Sequence, residues 1–348
     1  MRSFQGTRLM DLRLGQGTVW MLETLAEAKG RQQLYEHQSP QLLRSLREVA
    51  LIESAESSNR IEGVTVERAR LRPLVLDDAM PKSRPEEEIV GYRRALNWIH
   101  TGYAEIPFDP RMLRQLHKLA QGGTTGDAGE WKQRSNDIVE LFADGHREVR
   151  FRPLAPEYVA TAVDELCLSY RDAVDHRRVS GLVAAAAMVL DVTCIHPFRD
   201  GNGRVSRLVT LLALYQLGYH VGRYISLERI IEQTKDDYYA ALKASSIGWH
   251  EGTHDVMPWL SYLLSTVRMA YREFEERASR MRPERGEKSD LVDAALGTMT
   301  GAFAISDIER LCPNVSRELV RRVMNRWRDE GRLEVVSRGR DARWKPTP

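Results

Sequence analysis

The sequence predicts a mainly α-helical protein. A helical core carries one small β-hairpin, and a separate C-terminal unit of three short helices and a second hairpin follows. Three observations lead there. Apolar residues recur with helical period through nearly all of the first 280 residues. One stretch, residues 137–152, interrupts that period with two β-type runs around a turn. A charged segment containing Pro and Gly, RMRPERGEKSD at 280–290, then reads as a linker.

The elements follow in order. A first helix is expected over 18–35. Ser39-Pro40 pairs an N-cap with a proline at the first helical position, and the helix it opens runs through Leu42, Leu43, Leu46, Val49 and Ile52 toward Ser58, where Gly63 stops it. Residues 84–100 place acids in the first turn and Ile89, Tyr92, Leu96 and Ile99 on one face. Asp109-Pro110 caps a helix through Leu119 that Gly122 and Gly123 end. Asp144-Gly145 between DIVEL and VRFR is a hairpin turn. Helices are then expected over 156–172, 179–195, 203–217, 227–245 and 257–280. Beyond the linker come helices near 290–299, 306–311 and 316–330, closed by Gly331, and then LEVV, SRGRD and ARWK as a hairpin. Three helices and a hairpin in this order are the winged-helix pattern. The chain therefore divides into an N-terminal helical region (1–105), a core (106–280) and a winged-helix-like domain (281–348).

Bulk properties exclude several classes. With 42% apolar and 29% charged residues the chain reads as globular and soluble. A net charge of +2 is too near neutral for a protein that coats nucleic acid. Cys167, Cys194 and Cys312 are scattered and odd in number, so neither a disulfide framework nor a zinc site is expected and a cytoplasmic setting follows. The opening MRSFQGTRLMDLRLGQG lacks the apolar centre of a secretory signal. The longest apolar run, 181–190, is about half of a membrane span, so no membrane role is expected.

The chemistry concentrates in HPFRDGNGRVSR, residues 196–207. Gly201 and Gly203 permit backbone conformations in which N–H groups converge on an anion, and the helix starting near Gly203 adds its dipole. Arg204 and Arg207, three apart, point toward one face. Two guanidiniums beside such a nest make a polyphosphate site. Asp200 offers a hard oxygen to Mg²⁺, and His196 is suited to be a base for a hydroxyl near neutral pH. Each residue alone has a bland reading as a cap, a turn or a solvated face; the whole string does not.

That string resembles the signature of the Fic (Fic/DOC) family, HPFx[D/E]GNGRxxR, at every defined position, and the likeness extends over roughly residues 40–270. The resemblance implies a Fic-type helical core and a protein adenylyltransferase. In that reading His196 deprotonates the hydroxyl of a target Tyr, Thr or Ser, and Phe198 anchors the loop. Asp200 holds Mg²⁺, Gly201, Asn202 and Gly203 cradle the phosphates of ATP, Arg204 contacts the β-phosphate region and Arg207 grips the γ-phosphate. The hairpin acts as a flap that holds the target by strand addition, with Ile138 and Val139 as contacts. Tyr238 and Tyr239 are candidates to contact adenine.

SSNRIEG contains Ser58, Glu62 and Gly63 in the spacing [S/T]xxxE[G/N], which resembles the family's inhibitory helix when it precedes the core in the same chain. The resemblance implies that Glu62 pairs with Arg207 and removes the guanidinium that the γ-phosphate needs. It is also compatible with self-modification, with a homodimer that reinforces the brake, and with the reverse reaction, removal of AMP. Residues 310–345 carry eleven Lys/Arg against five Asp/Glu, with Arg317, Arg321, Arg322, Arg326 and Arg328 on the third helix and Arg338 and Arg340 on the wing. DNA binding through that helix and a protein-interaction role both remain open. Two functional alternatives also stay open: a relative that transfers phosphate or phosphocholine, and a DNA-binding regulator with a Fic core as sensor.

Overall fold

The computed structural model describes residues 2–36, 40–123, 126–141, 145–280, 287–297, 299, 301–312, 315–337 and 342–347. The Ser39 cap, Asp144, residues 281–286 of the linker, and Arg338 and Arg340 lie outside the described residues. The chain separates into two compact units at Ala278/Ser279.

In the larger unit the helices run α1 (Gln16–Glu36), α2 (Pro40–Ile61), α3 (Arg68–Leu76), α4 (Arg84–Gly102) and α5 (Pro110–Ala120). The hairpin β1 (Ile138–Leu141) and β2 (Arg147–Phe151) follows. Then come α6 (Pro156–Asp175), α7 (Gly181–Ile195), α8 (Asn202–Gln216), α9 (Leu227–Gln233), α10 (Lys235–Ser246) and α11 (Met257–Arg280). This is the mainly helical architecture that the periodicity predicts. Apart from Asp191 and Thr193, α7 carries only apolar residues, and all of it but Gly181 and Thr193 is buried. α8 beside it exposes only Gly203 and Gln216 to any degree. α6, α5 and α4 pack around this pair, and α2 packs across α4 and α9. Asp109 caps α5 as expected, its Oδ1 accepting from Met112 N–H at 2.8 Å, and Ser83 caps α4, its Oγ accepting from Glu86 N–H.

Three details differ from the sequence reading. α3 has no counterpart in it, because its Pro73 and its short apolar set of Leu71, Leu74 and Val75 give no full helical period. The single helix expected over 227–245 is two helices, broken at Thr234, whose φ of −116° and ψ of 34° are not helical. The third difference lies in the C-terminal unit, where a two-residue strand was too short to see.

In the hairpin Val139 pairs with Val149, Glu140 with Glu148 and Leu141 with Arg147, with an irregularity between Ile138 and Val139. Val139 and Val149 are both exposed, an apolar cross-strand pair turned to solvent. Gly145 has φ 83°, the left-handed conformation that the expected turn needs.

The smaller unit contains α12 (Glu287–Gly297), β3 (Phe303–Ala304), α13 (Ile305–Leu311), α14 (Arg317–Asp329), β4 (Leu333–Ser337) and β5 (Arg343–Pro346). β5 lies between β3 and β4 in an antiparallel sheet. Its core includes Val292, Leu296, Phe303, Ile308, Val320, Val323, Met324 and Trp327. Among the described residues no helix is long and apolar enough to cross a membrane.

Candidate active site

The bend between α7 and α8 is built from the signature residues. α7 ends at His196, whose φ of 51° and ψ of 62° are left-handed, a conformation that costs a non-glycine residue about 1–3 kcal/mol. Gly201, also left-handed at φ 75°, opens α8. Between them Phe198 is fully buried and stacks on His117 of α5, with ring centroids 3.9 Å apart and planes 6° from parallel. Asn202 closes the bend: its Oδ1 accepts from Phe198 N–H at 2.9 Å and its Nδ2 donates to Phe198 O at 2.7 Å. Asn202 thus acts here through the loop backbone.

His117, which sequence reasoning missed, supports the bend from α5. Its Nδ1 accepts from Gly129 N–H at 2.8 Å, so its Nε2 carries the proton and donates to Asp200 O at 3.1 Å. Burial pushes its imidazole down to about 4, against the opposing bond to the Asp200 carbonyl. Only its place on the buried side of an amphipathic helix could have signalled it.

His196 has its Nδ1 3.3 Å from Thr193 O, so Nδ1–H donates there and Nε2 is left with its lone pair. Burial, and then the Lys132 ammonium, push the imidazole down to about 4. At neutral pH the ring is an unprotonated base.

Arg207 is fully enclosed. Its Nε donates to Ser58 Oγ at 2.8 Å, and its Nη2 donates to Ser58 O at 2.9 Å and to Glu62 Oε1 at 2.8 Å. Burial pulls against its charge, but the Glu62 carboxylate holds its pKa above the ordinary value. Ser58 in the last turn of α2 and Glu62 just after its end therefore both meet Arg207. Gly63, at φ 80°, ends that helix. Glu62 sits at a helix C-terminus, where a carboxylate is unfavourable for the helix dipole. Its position is explained by Arg207, not by helix stability.

The same carboxylate lies on Gly203: a Cβ there would come within 2.2 Å of Glu62 Oε1 and 3.2 Å of Arg207 Nη1. The start of α8 thus receives an acid oxygen where an anion would be cradled. Gly203→Ala is expected to weaken ATP binding about tenfold or more, even with Glu62 removed, because carboxylate and phosphate both need that face free of a Cβ. Titration calorimetry checks this, and unchanged affinity would remove Gly203 from the cradle.

Arg204 is placed differently. Its Nη1 donates to Glu88 Oε2 of α4 at 2.7 Å and to Asn59 Oδ1 at 3.4 Å, with both members of the ion pair almost fully buried. It ties α8 to α4 and α2. Behind Arg207, Glu228 accepts from Tyr92 Oη at 3.0 Å and from Ser54 Oγ at 2.7 Å. Ser54, Ser58 and Glu62, spaced by four, form a polar stripe by which α2 is registered on the core.

Asp200 is exposed, and its Oδ1 accepts from Gly201 N–H at 2.7 Å. One accessible carboxylate beside the bend fits Mg²⁺, which takes few protein ligands and completes its shell with other oxygens and water. The flap contacts Ile138 and Val139 line a cavity of about 680 Å³ together with Arg150, Lys235, Tyr239 and Lys243. Tyr239 lies on its wall, whereas Tyr238 is buried against Trp259 and Tyr262.

The comparisons agree with this geometry. The Fic/DOC family model matches residues 107–214, which hold α5, the hairpin, α7 and most of α8. The chain thus carries a Fic/DOC family domain. It is similar to the protein adenylyltransferase fic-1 of Caenorhabditis elegans, 22% identical over 256 residues that cover 67% of this chain and 45% of that protein. It is also similar to the protein adenylyltransferase Fic of Drosophila erecta, 26% identical over 65% of this chain and 42% of that protein. The chain spans under half the length of these curated relatives. Among solved structures, a Fic family protein from Desulfovibrio desulfuricans G20 superposes with a TM-score of 0.61 at 20% identity, covering 97% of each chain. A Fic-domain signalling protein from Bacteroides thetaiotaomicron gives 0.62 at 20% identity, over 74% of this chain and 98% of that one.

Proposed function

We propose that the protein transfers AMP from ATP to a side-chain hydroxyl of a target protein and that Glu62 holds the site closed in the state described. One observation carries this reading: the buried Arg207 guanidinium at the start of α8 is occupied by a carboxylate of the chain's own, from the residue that follows α2. Relatives named protein adenylyltransferase support it.

In this reading ATP displaces Glu62 from Arg207, its phosphates lie along the start of α8, and its purine enters the cavity beside Val139 and Tyr239. Mg²⁺, when held by Asp200, would supply charge neutralisation between phosphate oxygens. His196 Nε2 takes the proton of the target hydroxyl. The hydroxyl oxygen bonds to the α-phosphorus, the bond from that phosphorus to the bridging oxygen breaks, and pyrophosphate leaves. The exposed Val139 edge of the hairpin presents the target. Arg204 contributes by fixing α8 against Glu88.

We further propose that the smaller unit is a winged helix that serves protein contact, not DNA readout. Arg317, Arg322, Arg326, Arg328 and Arg332 each face a carboxylate of the same unit, which spends the charge that phosphates would need.

The test uses the Glu62→Gly variant with ATP labelled on either the α- or the γ-phosphate. Label is expected on protein only from the α-position, with an adduct the mass of AMP. Label only from the γ-position would replace this reading with phosphate transfer.

A further inference from the structure

Lys132 and Asn136 lie just before β1, in the segment that enters the hairpin. Lys132 is only 3% exposed, although it is a lysine with no carboxylate in hydrogen-bond contact among the described residues. Its Nζ donates to Ile195 O at 3.3 Å and to Asn136 Oδ1 at 3.0 Å, and its backbone N–H donates to Pro197 O at 2.9 Å. Asn136 Nδ2 donates to Phe198 O at 2.9 Å and to Arg199 O at 3.2 Å. Two side chains and one amide thus take the carbonyls of 195, 197, 198 and 199, those on either side of His196.

We infer that Lys132 is a positioning residue for His196: with Asn136 it clamps the backbone on both sides of the histidine and fixes where the imidazole stands when the target hydroxyl arrives. The inference rests on the proposed role of His196 as the base. The physical need is specific. Ile195 O belongs to the last turn of α7, where carbonyls lack intrahelical partners and the dipole is negative. A histidine there would ordinarily be drawn toward the imidazolium. The Lys132 ammonium already supplies the positive charge, so the imidazole stays neutral and able to accept a proton. Burial holds the ammonium itself down to about 8, against the opposing attraction of Asp137. The other charged groups that act on His196 are Glu62, just past the end of α2, which favours its protonation, and Arg150 of β2, which opposes it. The segment that sets the base also leads directly into the strand proposed to hold the target, so acceptor and base share one short stretch of chain.

The test is made in the Glu62→Gly background, with His196→Ala in parallel, by following AMP incorporation against pH. Lys132→Met keeps the packed methylenes and deletes the ammonium. It is expected to lower the rate at saturating ATP by about 10- to 100-fold. The KM for ATP should change by less than about threefold, because no phosphate contact is lost. The acid limb of the profile should move to higher pH, and Lys132→Arg should restore most of the rate and the limb. Should Lys132→Met fail to fold, Asn136→Asp decides: it removes the donor to Phe198 O and Arg199 O and neutralises Lys132, so the same fall and the same upward shift are expected. NMR titration of the His196 ring in the otherwise unaltered protein should show that shift without reference to turnover. A folded Lys132→Met or Asn136→Asp with unchanged rate and unchanged limb overturns the positioning role alone. An inactive Glu62→Gly overturns the transferase reading and takes this role with it.

Discussion

Replacing Glu62 by Gly is expected to raise the rate of AMP transfer at fixed, subsaturating ATP by about 10- to 100-fold. A hydrogen bond to a charged group contributes about 1.5–3 kcal/mol net, and each 1.4 kcal/mol is about a factor of ten. That pair is what ATP must displace at Arg207. The guanidinium stays where it is after the substitution, because Ser58 holds it through both its hydroxyl and its carbonyl. The variant therefore empties the position without collapsing it. Intact-mass measurement under matched Mg²⁺-ATP gives the readout, and equal adduct in variant and unaltered protein would remove the brake from this account.

Replacing His196 by Ala in the same background is expected to abolish measurable transfer, a loss of about 10²- to 10⁴-fold. ATP affinity should change little, since the imidazole's hydrogen bond is to Thr193 O and not to Arg207. The pH dependence has a definite sign. The base works when neutral, so activity is present above the imidazole pKa and is lost as pH falls through it. Burial and Lys132 hold that value to about 4. The Glu62 carboxylate favours protonation, so the Glu62→Gly enzyme should keep its activity to a slightly lower pH still. A profile falling instead near the ordinary histidine range would show that the imidazole is solvated during turnover.

Much of this architecture can be read from the sequence where a physical requirement is local. The left-handed turn at Gly201, the apolar α7, the Asp109 cap and the hairpin turn at Gly145 each depend on residues within a few positions of one another. The meeting of Glu62 with Arg207, 145 residues apart, was available only through resemblance, and that of Ser58 with Arg207 was not foreseen. What stayed hidden is long-range and polar. Glu88 sits in a run of three glutamates that reads as a solvated first turn, yet it is buried because Arg204 claims it. His117 and Lys132 look like ordinary surface residues of helix and loop until the bend arrives from 83 and 63 residues further on. Arg204 shows the converse limit: its helical spacing gives its face correctly but not its partner.

The polar stripe of α2 is uneven, and that decides how the lock can turn. Ser54 and Ser58 are sealed in the core, tied to Glu228 and Arg207, whereas Glu62 lies past the final helical turn with 31% of its side chain accessible. Freeing the guanidinium thus demands no melting or departure of the helix, only a swing about the χ bonds of one residue, an event of nanoseconds, not milliseconds. In the proposed reading such a turnstile has no memory: its occupancy would follow the nucleotide concentration of the moment, as a gauge of ATP supply and not as a latch that stays thrown.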